Sequence, residues 1–293
     1  MIELVVGGST AYAPNVEGVA NLYVCENAAL ERLLFNRRQT GLDFVRTCRE
    51  SSIFFLMHLK PLLEGHHDCV SELMILTKGY YYWLHNAYEQ TFVRNLPINF
   101  LATNRTDVSE RGVSITVHFT NFDAATETLL IGDTVASGET ICAALHAYLA
   151  DHRLKRVIIL SFAGTVVGAQ RITAFCRSKN IEVWFLFGLA AFGMAQNGFD
   201  LSFLHNQTVT SSRYVERARE FFEGRGISVA GWDFGSQAQA PKKYHALARI
   251  EAHYWELPNS TIFPARSGPI DSSLVSKERS AFSGKIDRVD DIE

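Results

Sequence analysis

The chain lacks any Cys-x-x-Cys pair, and its five cysteines, Cys25, Cys48, Cys69, Cys142 and Cys176, are odd in number and widely spaced. That excludes a disulfide framework and a zinc ribbon as organising features and points to a reducing cytoplasm. A basic excess is lacking too. With 28 Lys and Arg against 31 Asp and Glu, the net charge is -3, so neither nucleic acid nor another long polyanion is an expected partner. A small phosphorylated ligand held by a few local donors remains compatible with that balance.

Met1-Ile2-Glu3 has no basic flank before its short apolar run, unlike a secretory signal. The uncharged stretch from Val183 to Phe199 is broken by Gly188, Gly193, Gln196 and Asn197. It falls short of the roughly 20 apolar residues that a membrane helix needs, so no membrane association is expected. Repeats and low-complexity tracts are missing. So are Gly-x-x-x-x-Gly-Lys-[Ser/Thr] and Gly-x-Ser-x-Gly, which weakens a kinase or hydrolase reading.

What is present is apolar content, 47% of 293 residues, enough to bury a sizeable core. The spacing divides the chain into a β-rich N-terminal extension over 1–39, a main domain over 40–206, a C-terminal α/β extension over 207–264 and a loosely ordered tail over 265–293. Gly7-Gly8-Ser9-Thr10 reads as a hairpin turn. Leu42, Val45, Ile53, Leu56, Leu59 and Leu63 suit one helix with a broad buried face.

From Cys69 onward strands and helices alternate. Strands are expected near 70–76, 98–102, 113–119, 129–131, 156–160 and 182–187, and helices near 81–92, 139–150 and 167–177. Beyond these come a helix near 214–223, a strand over 227–230 and a helix near 242–255. This rhythm predicts an α/β fold, a mainly parallel sheet flanked by helices, with ligands at the carboxyl ends of the strands.

The run Leu129-Leu130-Ile131-Gly132-Asp133-Thr134-Val135-Ala136-Ser137-Gly138-Glu139-Thr140-Ile141 carries the chemistry. An apolar strand enters an acid, then a small polar turn, then an amphipathic helix. Such a turn aims backbone N–H groups and hydroxyls at one spot beside the positive end of a helix, a suitable cradle for phosphate.

This run resembles the diphosphoribosyl-binding motif of type I phosphoribosyltransferases. The resemblance implies that Asp133 contacts ribose hydroxyls and the Mg²⁺ that accompanies the substrate, that Ser137, Gly138 and Thr140 cradle the 5'-phosphate, and that Thr134, Ala136 and Glu139 lie in the same PRPP-binding stretch. Two positions depart from the pattern: Gly132 stands where the family has its first acid, and Thr134 where an aliphatic residue is usual. Upstream, Thr77-Lys78-Gly79 follows an apolar strand and resembles the family's pyrophosphate loop, particularly the orotate type. Between the two, the polar stretch from Thr103 through Arg105 to Arg111 and Gly112 occupies the place of the family's mobile catalytic loop. Arg105 and Arg111 are then candidates to neutralise departing pyrophosphate.

The resemblance covers about residues 40–206. It implies a magnesium-dependent transferase that moves the phosphoribosyl group of phosphoribosyl diphosphate (PRPP) to a nitrogen acceptor. A homodimer is the expected assembly. Ala136 stands where 6-oxopurine enzymes carry an acid able to exchange a proton with the base, so a non-purine acceptor is expected. The alternative is a non-catalytic sensor of PRPP or nucleotide on the same fold, motivated by Gly132.

Other signals are discounted. Gly65-His66-His67-Asp68-Cys69 reads as a polar loop, since adjacent side chains rarely converge on one ion. His118 and His146 read as packed or surface residues. Of Tyr80-Tyr81-Tyr82-Trp83, at least two are expected in the core. Asp233 with Lys242, Lys243 and His245 reads as a solvated helix start.

Overall fold

A strand that is apolar along its whole length must have both faces covered, and Thr128–Gly132 is buried at every position. The computed structural model describes residues 3–6, 8–36, 41–76, 78–108, 112–194, 201–203, 205–222 and 229–230. The first half of the chain forms β1 (Glu3–Val6), β2 (Ser9–Tyr12), β3 (Leu22–Glu26), α1 (Ala28–Phe35), α2 (Gly41–His58), α3 (Lys60–Leu63) and β4 (Val70–Leu76). A 3₁₀ turn (Lys78–Tyr82) leads into α4 (Leu84–Phe92), β5 (Ile98–Val108), β6 (Gly112–Asn121), β7 (Thr128–Gly132) and α5 (Glu139–Tyr148). Then come β8 (Arg156–Ser161), β9 (Gly164–Thr165), α6 (Val166–Ser178), β10 (Glu182–Gly188), β11 (Ala190–Met194), β12 (Leu201–Ser202), β13 (Val209–Thr210), α7 (Ser212–Phe222) and β14 (Val229–Ala230).

The main sheet has the order β1-β2-β3-β10-β8-β7-β4-β5-β6. From β3 across to β5 neighbouring strands run parallel, and the outer pairs β1/β2, β2/β3 and β5/β6 are antiparallel. Along β7 the side chains alternate between two cores: Leu129 and Ile131 join Ile141, Leu145, Ala169 and Ile172 of α5 and α6, while Leu130 faces the layer of α1, α2 and α4. This is the three-layer α/β architecture expected from the sequence rhythm. A smaller sheet of β9, β11, β12, β13 and β14 caps one end. Among the described residues, no helix is long and apolar enough to cross a membrane.

Three local expectations need correction. The N-terminal segment is not only strands and turns, because Asn27 caps an eight-residue helix by accepting the Leu30 amide at 2.9 Å. The apolar stretch over 42–63 is two helices, α2 and α3, with Pro61 in the first turn of the second. The strand beginning at Ile98 does not stop at Ala102 but runs on to Val108, paired residue by residue with β6. Polar composition suggested a loop there, yet hairpin pairing satisfies the backbone and overrides it. The turn between β1 and β2 is a hairpin, with Gly8 at φ +79°. The expected elements beyond 230, including the helix over 242–255 and the tail, lie outside the described residues.

Candidate functional site

From β4 the chain moves outward to β5 and β6, then returns to β7 on the other side of β4 and continues to β8 and β10. The strand order therefore reverses between β4 and β7. In open α/β sheets ligands occupy the crevice outside the carboxyl ends of strands at such a reversal. The two loops that open there are Lys78–Tyr82 and Asp133–Gly138, which hold most of the residues singled out from the sequence.

The loop after β7 is fastened to the loop after β8. The Val135 amide lies 3.1 Å from the Ala163 carbonyl and 3.2 Å from Ser161 Oγ, and the Thr165 amide donates to Val135 at 2.9 Å. Thr165 Oγ1 donates to the Ala136 carbonyl at 2.5 Å and accepts the Gly168 amide at 2.8 Å. Gly168 leaves no room for a side chain, since a Cβ there would lie 2.4 Å from the Ala136 carbonyl oxygen. Sequence reasoning gave Ser161, Thr165 and Gly168 no role. The signal was the Ser-Phe-Ala-Gly-Thr-x-x-Gly run directly after a strand.

Fastened in this way, the loop delivers Gly138 to the start of α5 at φ +78°, a conformation that favours glycine. Unlike α1 and α6, which Asn27 and Thr165 cap, α5 has no side-chain cap at this end. Next to it, Ser137 Oγ is buried without a protein hydrogen-bond partner. Glu139, whose charge would oppose an anion, pairs instead with Arg171 of α6. Thr140 lies partly exposed in the first turn of α5. Uncapped amides, an unpaired hydroxyl and a deflected carboxylate are the donors and the charge arrangement that an anion would need.

Lys78 and Gly79 open the 3₁₀ turn. Gly79 packs on the neighbouring loop, since a Cβ there would sit 3.3 Å from the Gly132 carbonyl oxygen. Thr77 lies outside the described residues. Arg105 is paired with Ile115 in the β5/β6 hairpin, beyond Ala102, the last β5 residue that pairs with β4. A register shift between Ala102 and Thr103 bends the hairpin where it leaves the sheet. The expected catalytic loop is thus largely hairpin, and Arg111 lies outside the described residues.

Asp133 is only 4% exposed, and its carboxylate accepts the Thr134 amide at 2.7 Å. Beside it lies Tyr82, which the sequence reading placed only among the aromatic residues expected in the core. The Tyr82 ring stacks on Phe162 at 3.9 Å with 3° between planes, and its hydroxyl oxygen accepts the Phe162 amide at 3.0 Å. Burial, and after it the nearby Asp133 charge, push the Tyr82 hydroxyl well above the ordinary phenol range. It therefore stays protonated.

The Mg²⁺ implied by the sequence resemblance can be tested against these residues. Among the described residues no group of three or more His, Cys, Asp or Glu side chains could hold a metal ion. The position before Asp133 is glycine, and the space its side chain would need is filled by Tyr82, 2.5 Å from an added Cβ. A hard, strongly hydrated cation needs accessible oxygen ligands, and one buried carboxylate is not such a set. The side chains of the described residues do not form a metal site of their own.

No protein-family model matches the chain, and no curated protein matches it. Among solved structures it is similar to a protein of Aquifex aeolicus, at 13% identity over 61% of this chain and 91% of that one, with a TM-score of 0.45. It is also similar to adenine phosphoribosyl transferase from Trypanosoma brucei, at 14% identity over 69% and 97% of the two chains, TM-score 0.39. A third is adenine phosphoribosyltransferase from Leishmania donovani, at 13% identity over 59% and 85%, TM-score 0.38.

Proposed function

We propose that this chain is a phosphoribosyltransferase, taking the phosphoribosyl group of PRPP to a small nitrogen nucleophile and releasing pyrophosphate. The observation that carries this reading is the uncapped start of α5 beside the unpartnered Ser137 hydroxyl. It is a phosphate cradle at the reversal of strand order, with a carboxylate, Asp133, at the start of the same loop.

In this reading the 5'-phosphate sits on the amides and hydroxyls of residues 137–140, and Asp133 orients the ribose hydroxyls. As the C1–O bond to pyrophosphate breaks, positive charge grows on the anomeric carbon and the nitrogen lone pair forms the new C–N bond. Lys78, Arg105 and Arg111 are assigned to the negative charge gathering on pyrophosphate. The protein's share is positioning and electrostatics. Mg²⁺, where the reaction requires it, would come with the diphosphate as its counter-ion and supply charge neutralisation.

Ala136 offers no proton exchange; its carbonyl is already engaged by Thr165. An acceptor that is anionic or a free amine needs less help losing a proton, so we assign a pyrimidine, a carboxylated heterocycle or a small amine rather than a purine. Pyrophosphate release is to be measured with hypoxanthine, guanine, adenine, uracil, orotate, nicotinate and ammonia in parallel. We expect turnover with a non-purine and a loss on the order of 10²-fold in Asp133→Asn. Efficient use of hypoxanthine or guanine alone would overturn the inference from Ala136. The Tyr82-filled space at Gly132 favours a second reading, a sensor that binds the ligand without chemistry. Tight PRPP binding with no pyrophosphate release from any acceptor would establish it.

A further inference from the structure

Gly132 and Tyr82 have to be considered together. A side chain at 132 would start 2.5 Å from both Cβ and Cγ of Tyr82, a distance that real Cβ atoms essentially never show. The obstacle is not a movable tip. Those atoms are the root of a ring that is 1% exposed, stacked flat on Phe162 and bonded through its hydroxyl to the Phe162 backbone. The backbone on the far side is fixed as well: Trp83, the next residue, holds a left-handed conformation at φ +50°, uncommon for an aromatic residue. Tyr82 therefore braces three loops at once, its own after β4, the Phe162 loop after β8, and the Gly132 turn after β7.

The consequence is chemical. A carboxylate pair at the end of β7 would collect a hydrated divalent cation at the ribose diphosphate. In this chain the uncharged root of the Tyr82 ring fills one of the two places, and the remaining carboxylate is buried and engaged by the Thr134 amide. Meanwhile the phosphate end of the site, Ser137 with the first amides of α5, is built from neutral donors that need no cation to meet an anion.

We infer that this site binds its phosphoribosyl ligand independently of divalent metal, with Tyr82 as the positioning residue that closes the second carboxylate's place. The inference rests on the phosphoribosyl reading above. It also fixes the ligand chemistry: the phosphomonoester and ribose supply the affinity, and a metal-chelated diphosphate arm adds little.

The test is calorimetric titration of the full chain with ribose 5-phosphate and with PRPP, each in EDTA and in excess Mg²⁺. Both ligands should bind in EDTA, with the Kd for PRPP changing by less than about fivefold when Mg²⁺ is supplied. A larger tightening by Mg²⁺, or PRPP binding seen only with Mg²⁺, overturns the inference while leaving the phosphoribosyl reading standing. No binding of either ligand in either buffer removes that reading and the inference with it.

A pair of variants tests Tyr82 directly. Gly132→Asp alone should lower the melting temperature. Combined with Tyr82→Gly, which removes the Cβ as well as the ring and so clears the space, it should make PRPP binding respond to Mg²⁺. Gly132→Asp alone being as stable as the parent and responsive to Mg²⁺ would show that Tyr82 excludes nothing. Should the double variant fail to fold, the titrations of the parent decide by themselves.

Discussion

Replacing Gly138 by alanine perturbs the cradle through two separable effects. The first is conformational: at φ +78° an L-residue other than glycine costs about 1–2 kcal/mol. The second is contact. The new methyl would stand 2.8 Å from the Gly168 carbonyl oxygen and 3.1 Å from Ile172 Cγ1. Gly168 cannot recede freely, because Thr165 holds its amide and the Ala136 carbonyl crowds its other side. Overpacking of this kind costs about 1–3 kcal/mol, so the sum lowers the melting temperature by on the order of 10 °C. Relief by rotating the loop would turn at least one amide from the phosphate. Loss of one hydrogen bond to a charged group, about 1.5–3 kcal/mol, weakens ribose 5-phosphate binding by about 10- to 150-fold. Gly138→Asn separates the effects, because asparagine tolerates the left-handed region yet brings the same Cβ. It should regain the conformational share alone. Calorimetry and thermal unfolding of both variants give the answer. An alanine variant that binds within about twofold of the parent and melts at the parent's temperature would refute the reasoning.

Ser137→Ala should leave stability unchanged, since the lost hydroxyl has no protein partner, yet weaken ribose 5-phosphate binding by about tenfold or more. Loss of stability with normal binding would make Ser137 a structural residue. A pH effect is expected from Glu72 on β4, 1% exposed, whose carboxylate accepts the His85 amide at 3.1 Å and lies 3.4 Å from its ring nitrogen. Burial raises the Glu72 carboxyl above its ordinary 4.5, and the hydrogen bond to Glu72 raises His85 above 6.5. Both groups hold protons more readily folded than unfolded, so each contributes stability that is present below those values and lost as pH climbs through the raised ones. Urea unfolding should therefore show Glu72→Gln gaining on the parent as pH rises from 4.5 upward. A difference that stays flat or shrinks would contradict that assignment.

The sheet and the turn into α5 were legible because both rest on local patterns. Thr128–Gly132 announces a strand covered on two faces, and Ser137-Gly138-Glu139-Thr140 announces a turn into a helix. What escaped depended on pairing across the chain. Nothing in the polar stretch Thr103–Val108 distinguishes a loop from a hairpin arm, and only its partner β6 decides the matter. Tyr82 read as one aromatic residue among four. Its role depends on Gly132 and Phe162, which sequence distance hides. Ser161, Thr165 and Gly168 escaped for the same reason, since they act on a loop that belongs to another strand. The helix α1 was a different kind of miss: Asn27 with Leu30, Leu33 and Leu34 carries a helix signal that the short strands around it obscured.

The pairing of β3 with β10 has a bearing on how the chain assembles. Leu22 lies beside Phe185 and Val24 beside Phe187 in parallel register, so β3 finds this partner only after the long stretch of chain between the two strands has been made. Until then Val24 and Cys25, fully buried in the finished sheet, have only the β2 side of their strand satisfied. Contacts of such high sequence separation form slowly. The docking of β1, β2 and β3 is therefore expected to be a late event in folding, after the βα units from β4 to β10 have closed around the loop between β7 and α5.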